Sequence, residues 1–276
     1  LCVIPAACTS AGSEDAGAES GPSSLALLSV ERSGDGPGEP SRLTAAAKVA
    51  RFRGIDADGL LKLLGADARE LESCGAAGSL GGLEEGAMSP NAQVDLLSVG
   101  ALQVRVGSTS HALAPRLFPA LATTAAGFFY AGSTELADAS SGSEDFALSA
   151  HGEAGLGRFD VAGVTPSELR GLSLGGVAVD SGAVLTAQAG AELTWEPESG
   201  SDRIEIEIFS AGSSLSCAVR DDGQFRISPA QLALLEADDS ASLVARRVRI
   251  VPIEMAGVES AYVRVAATRS LSLQVK

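Results

Sequence analysis

Apolar and polar positions alternate with a period of two along much of the chain, most cleanly towards its C-terminal end. Residues 203–209 (RIEIEIF) set Ile204, Ile206 and Ile208 on one face and Arg203, Glu205 and Glu207 on the other. That is the pattern of a half-buried strand. Leu215, Cys217 and Val219 continue it, Asp221-Asp222-Gly223 supplies a turn, and Phe225 and Ile227 resume it. Residues 243–253 and 261–275 predict long strands, and 229–235 one or two helical turns. Residues 191–195 (AELTW) lead into the turn-rich 196–201.

Earlier in the chain, residues 43–55 predict a strand that ends in Val49, Arg51, Phe52 and Arg53. Asp56 is placed to cap a short helix over 58–64, whose Leu60, Leu61, Leu63 and Leu64 precede the stop signal Gly65. Residues 75–92, rich in Gly, Ala and Ser, predict a loop. Residues 94–99 and 102–106, split at Gly100, predict two strands or one bulged strand. Residues 146–151 and 158–164 predict a hairpin.

A chain of 276 residues exceeds the usual size of one domain. The expected class is mainly all-β: two β-sandwich-like domains, with a short helix in the first, behind a flexible N-terminal tether. The boundaries fall at 25–165 for an N-terminal β-rich domain and 172–276 for a C-terminal sandwich, with Pro166 and the following SELRGLSLGG marking the change from one to the other. The C-terminal piece carries seven expected strands, so a fragment of residues 172–276 is expected to fold alone.

Residues 1–8 are apolar, end in small residues and give way to the polar and acidic run 9–24. Such a run buries too little surface to offset its ordering entropy and reads as a flexible tether. Ala6-Ala7-Cys8 resembles the end of a bacterial lipobox, with Pro5 where that motif carries Leu. The resemblance implies lipidation at Cys8 and attachment to a membrane only through that anchor. The longest uncharged run, 117–134, is broken by Pro119, Gly127 and Gly132, which argues against a spanning helix.

The order AELTWEPESGSDRIEIEIF is similar to the second and third strands of a fibronectin type III or immunoglobulin-like domain, with Trp195 as the inward core tryptophan. Residues 215–230 (LSCAVRDDGQFRISPA) resemble a recurrent segment in uncharacterised secreted lipoproteins of GC-rich bacteria. The likeness spans roughly residues 176–276 and implies fold and compartment: an exported protein, in the outer membrane or periplasm as a lipoprotein, or else secreted. It brings no activity with it.

A net charge of −15 and a pI near 4.5 argue against partnership with nucleic acid or anionic lipid. Of 20 basic residues three are Lys and seventeen Arg, a bias that reflects codon supply in a GC-rich genome. Aromatics are only 4% of the chain, yet Phe118, Phe128, Phe129 and Tyr130 sit close together. Sugar stacking is one reading of that cluster, and core packing in an apolar stretch is the stronger one.

The search for chemistry yields no catalytic, cofactor-binding or metal-ligating set. His111 lies beside Ser108 and Ser110, and His151 beside Glu153, but no G-x-S-x-G occurs. Zinc spacing is lacking, Gly75–Gly82 lacks the Lys of a phosphate loop, and Asp56 with Asp58 begins no EF-hand. The acidic pairs Glu84-Glu85, Asp221-Asp222 and Asp238-Asp239 read as solvated turns. Cys74 and Cys217 fall in different expected domains; export permits them to pair, but Cys217 reads more simply as a buried thiol. The expected function is an exported, membrane-tethered binding or structural module of the envelope, with an unknown protein or glycan partner. An exported hydrolase using His111 or His151 is the alternative.

Overall fold

The computed structural model describes residues 23–34, 41–65, 69–76, 88–117, 125–136, 143–153, 155–178, 183–185, 190–198, 202–236 and 238–276. The period-two pattern is realised as strands throughout. The first half runs β1 (Ser23–Gly34), β2 (Arg42–Ile55), α1 (Ala57–Leu63), β3 (Ser73–Ala76), β4 (Met88–Leu96), β5 (Leu102–Val106) and β6 (Thr109–Leu117). It continues with β7 (Ala125–Glu135), β8 (Asp145–Ala150) and β9 (Phe159–Val164). The second half holds β10 (Ser173–Leu174), β11 (Val177–Ala178), β12 (Ala183–Leu185), β13 (Ala191–Thr194) and β14 (Arg203–Ser210). After it come β15 (Ser213–Arg220), β16 (Gln224–Ile227), α2 (Pro229–Leu232), β17 (Asp238–Ile253) and β18 (Ser260–Val275). The chain is mainly all-β and sandwich-like.

One long sheet holds the molecule together. It runs β3-β15-β14-β17-β18-β1-β2 and on through β4 and β7 to β6. The first and last strands are neighbours at its centre: β1 pairs with β18 in parallel, from Leu25 opposite Ser260 to Gly34 opposite Arg269. At one end β6 changes layer. Its residues Thr109–Leu113 pair with β5, whereas Ala114–Leu117 pair with β7. The second layer then continues β5-β8-β9. At the other end the four-stranded sheet β11-β10-β13-β16 forms a separate layer.

Each small layer covers half of the same face of the long sheet, and the result is two cores. In the first, Ala26, Leu28 and Val30 of β1 and Ala45, Ala47 and Val49 of β2 pack on Val104, Phe146, Leu148 and Phe159. In the second, Ile204, Ile206, Ile208, Leu243 and Ala245 pack on Leu174, Leu193, Trp195, Ile227 and Leu232. Strand β18 serves both, with Val263 and Val265 in the first and Leu273 and Val275 in the second. On the opposite face α1 lays Leu60 and Leu64 against Leu25, Phe52 and Tyr262. Asp56 caps this helix by accepting from the Gly59 N–H at 2.6 Å, and Gly65 (φ +79°) ends it.

Between the two cores the shared face carries arginines where apolar residues would be expected. Arg247 is almost fully buried, and every nitrogen of its guanidinium is engaged. Its Nε donates to Asp221 Oδ2 at 2.7 Å, and Nη2 to the Glu196 carbonyl at 2.7 Å. Its Nη1 donates to Ser167 Oγ at 3.0 Å and to the carbonyls of Ser167 and Glu168. Beside it, Arg249 grips Asp202 with two bonds of 2.7 Å and donates to the Val164 carbonyl. Arg269 reaches the Leu169 carbonyl, and buried Arg32 lies 3.8 Å from Glu144 and 3.9 Å from Glu168. Burial works to raise the Glu198 carboxyl, yet bonds from Ser167 and the nearby Arg247 and Arg249 hold it below the ordinary carboxylate range.

Several expectations are thereby corrected. The stretch 165–172 separates two cores, but the sheet runs through unbroken, so it is a bonded strut across that sheet. Ser23 and Ser24, placed in the tether, begin β1; residues 1–22, with Cys8, lie outside the described residues. Residues 75, 76 and 88–92 belong to β3 and β4, and Glu84-Glu85 lies outside the described residues. Asp221 is no solvated turn residue: its side chain is 3% exposed and accepts from Arg247 and from Trp195 Nε1 at 2.7 Å. Cys217 is no free thiol. It faces Cys74 across the β15–β3 pairing, and a disulfide joins the two over a separation of 143 residues. No helix among the described residues is long and apolar enough to cross a membrane.

Candidate functional site

The change of layer at β6 opens a cleft. Where Leu113 leaves β5 and Ala114 joins β7, the two layers splay apart and leave a concave space of about 690 Å³. Its walls are mostly apolar, from Leu102, Leu113, Pro115 and Phe128. Phe128, 46% exposed, stands opposite Leu117, 71% exposed, so the apolar wall extends onto the rim. The two side chains together make a small exposed apolar patch beside the cleft.

One end of the cleft is polar, and glycines make it so. The Gly152 N–H donates to the Val99 carbonyl, and both Gly100 (φ +73°) and Gly152 (φ +83°) are left-handed. A Cβ on Gly152 would sit 2.6 Å from the Leu156 carbonyl oxygen, so only glycine permits the approach. Through it Ser98, Tyr130 and Glu153 converge. The Val99 N–H donates to the Tyr130 hydroxyl at 3.1 Å, and that hydroxyl lies 2.9 Å from Ser98 Oγ. Ser98 in turn donates to Glu153 Oε2 at 2.6 Å. With Ser98 donating to the carboxylate, the phenol must donate to Ser98, which makes an ordered chain running outward to Glu153. The exposed carboxylate keeps acceptor capacity for an incoming N–H or O–H.

Neither histidine joins this group. His111 is half-buried on β6, with its ring against Gly132, and His151 is exposed after β8. Among the described residues neither imidazole hydrogen-bonds to a serine or a carboxylate, and no three His, Cys, Asp or Glu side chains cluster as metal ligands. The aromatic cluster divides: Tyr130 is buried as core packing requires, but Phe128 faces the cleft, and Phe118 lies outside the described residues. Ser98 and Glu153 escape sequence reasoning because they are 55 residues apart in unremarkable company. The glycines at 100 and 152 were the only local signal.

No family model matches the chain, and no curated protein matches it in sequence. Among solved structures it is similar to the Mu homology domain of Fcho1 from Danio rerio, determined with a bound Eps15 peptide. The two are 8% identical, and the match covers 92% of this chain and 97% of that one with a TM-score of 0.23. Superposition that loose carries neither fold nor binding mode across.

Proposed function

We propose that the protein is an exported, membrane-tethered β-sandwich binding module of the bacterial envelope, and that it binds through the cleft beside β6. The observation that carries this reading is the cleft itself: apolar walls, a polar end of three converging side chains, and an exposed apolar rim. The lipobox-like Ala6-Ala7-Cys8 and the polar run behind it support the tether. The likeness of residues 176–276 to fibronectin type III and immunoglobulin-like domains belongs to the same proposal, supported by the inward Trp195.

A protein segment suits the cleft better than a glycan. Its walls are aliphatic with one phenyl ring and offer few hydroxyl partners, so a bulky apolar side chain fills them. The Glu153 carboxylate then takes a backbone N–H or a Lys or Arg beside that side chain. Selection of a displayed random peptide library on the immobilised protein tests this. Peptides pairing a bulky apolar residue with a basic one should be enriched and should lose binding to Phe128→Asp. Peptides that bind that variant equally, or no enrichment at all, would sink the reading. For the tether, Cys8→Ser in the full precursor should abolish fatty-acid labelling and release the protein from membranes.

A further inference from the structure

The outer end of the long sheet is held by few attachments. Among the described residues β3, four residues long, pairs on one side only, from Ser73 opposite Ala218 to Ala76 opposite Leu215. Cys74 is its one side chain there that packs on the second core, and Ala76 is exposed. The segment partly holds itself. Arg69 Nη2 donates to the Ala76 carbonyl at 3.2 Å, and Ser73 Oγ donates to the Glu70 carbonyl at 2.5 Å.

The turn into β3 is strained. Glu72 has φ +61°, in the left-handed region where a side chain crowds its own backbone. Its N–H donates to the Ala218 carbonyl at 2.7 Å, and its carboxylate accepts from the Arg220 N–H at 3.1 Å. The ion pair of that carboxylate with the Arg220 guanidinium, at 3.8 Å, joins two exposed side chains, where such pairs add little. The Cys74–Cys217 bond is the strong member of the set: it crosses the pairing directly and joins residues 143 apart. Strand β15 does not depend on it. Leu215, Cys217 and Val219 pack in the second core, and β14 pairs with β15 from Arg203 opposite Arg220 to Ser210 opposite Ser213.

We propose that the Cys74–Cys217 bond is a redox switch: a dithiol reductant opens it, residues 69–76 leave the sheet, and the β15 edge is bared while both cores stay folded. Cys74 is half-buried and Cys217 is 1% exposed, so exchange begins at Cys74. A thiolate of the reductant bonds to Cys74 Sγ, the Cys74–Cys217 bond breaks, and Cys217 leaves as a thiolate that takes up a proton. The second thiol of the reductant then displaces Cys74, which departs as a thiol, and the reductant ends as its own disulfide. Cys217 remains as a small apolar thiol in the second core. The ladder pairs and the strained Glu72 do not hold so short an edge strand alone, and the freed segment gains chain entropy. The switch lies at the end of the long sheet opposite the cleft and is independent of that reading.

Hydrogen–deuterium exchange on the full chain, oxidised and in excess dithiothreitol, tests this. In the reduced protein residues 69–76 should exchange at least about tenfold faster, and residues 213–220 should lose part of their protection. Strands β1, β14, β17 and β18 should keep theirs, and reoxidation should restore the starting pattern. Cys74→Ser should show the open pattern without reductant and no further change with it, which separates this bond from any effect of Cys2 and Cys8. A bond that survives dithiothreitol under native conditions, a reduced protein with 69–76 still protected, or loss of protection in every strand would each overturn the proposal. The wild-type comparison decides the matter even if the serine variant fails to fold.

Discussion

Arginine rather than lysine holds the centre of this molecule, and the reason is geometric. A guanidinium has five N–H donors in a rigid fork, and buried Arg247 spends them on Asp221, Ser167 and the carbonyls of Ser167, Glu168 and Glu196. A lysine has three donors on a single nitrogen and could not make the six contacts by which Arg247 joins these three segments. Asp221 is the hub's anion and also receives the Trp195 indole N–H, so removing it strands both partners. Asp221→Ala should cost about 3–5 kcal/mol, because an uncompensated Arg247 stays buried. Trp195→Ala should cost about 3–5 kcal/mol from the void and the lost bond. Urea unfolding read by far-ultraviolet circular dichroism measures both, and a near-neutral result for Asp221→Ala would remove the hub from the account. On the open face, burial works to raise the Glu205 carboxyl, but Arg264 and Arg203 outweigh it and hold it below the ordinary carboxylate range. A carboxyl lowered on folding stabilises above its unfolded pKa, and that contribution is lost as pH falls through the folded value. Wild-type stability should therefore drop on acidification from about pH 5 to pH 3, and more steeply than that of Glu205→Gln.

At the scale of the element, alternation proved legible where one face was polar and silent where both were buried. Strand β14 read plainly because Glu205 and Glu207 stay on the open face, and α1 read from its Asp56 cap and Gly65 stop. Strand β1 was missed as an element. Leu25, Leu27 and Leu28 bury on both sides of the sheet, so the run LALLSV shows no period, and parallel pairing to β18 hides it further. The short β3 was also hidden, since Ser73–Ala76 has little apolar content and owes its place to β15 and the Cys74–Cys217 bond. The cleft was legible only as aromatics, because Ser98, Tyr130 and Glu153 meet through a strand arrangement that no local pattern encodes. One glycine shows how tight that arrangement is. Where β7 slides past the end of β4, a Cβ on Gly127 (φ +124°) would lie 2.1 Å from the Leu96 carbonyl oxygen. Gly127→Ala should lower stability by at least about 1 kcal/mol. Gly107→Ala, also at positive φ but with nothing within 4 Å, should cost less in the same denaturation assay.

The two cores invite a description as two domains, and their spacing in the chain encouraged the sequence to be divided at 165–172. The whole molecule argues for one unit of folding. Strand β18 contributes to both cores, β1 from the first half is its parallel partner over ten residue pairs, and the Cys74–Cys217 bond ties β3 to β15 at the far edge. The segment 165–172 is itself pinned by Arg247 and Arg269 to the face of the sheet, so it transmits unfolding from one core to the other. A fragment of residues 172–276 would expose one edge of β18, leave Val263 and Val265 without their core, and lack the acceptors Ser167, Glu168 and Leu169 for its arginines. The expectation of independent folding therefore gives way to its opposite. The full chain should lose both cores in a single transition, with calorimetric and van't Hoff enthalpies in agreement. The isolated fragment should show no cooperative melt at all. Two resolved transitions in the full chain, or a fragment that melts sharply with a β-type spectrum, would mean that the arginine strut and the β1–β18 pairing couple the halves too weakly to matter.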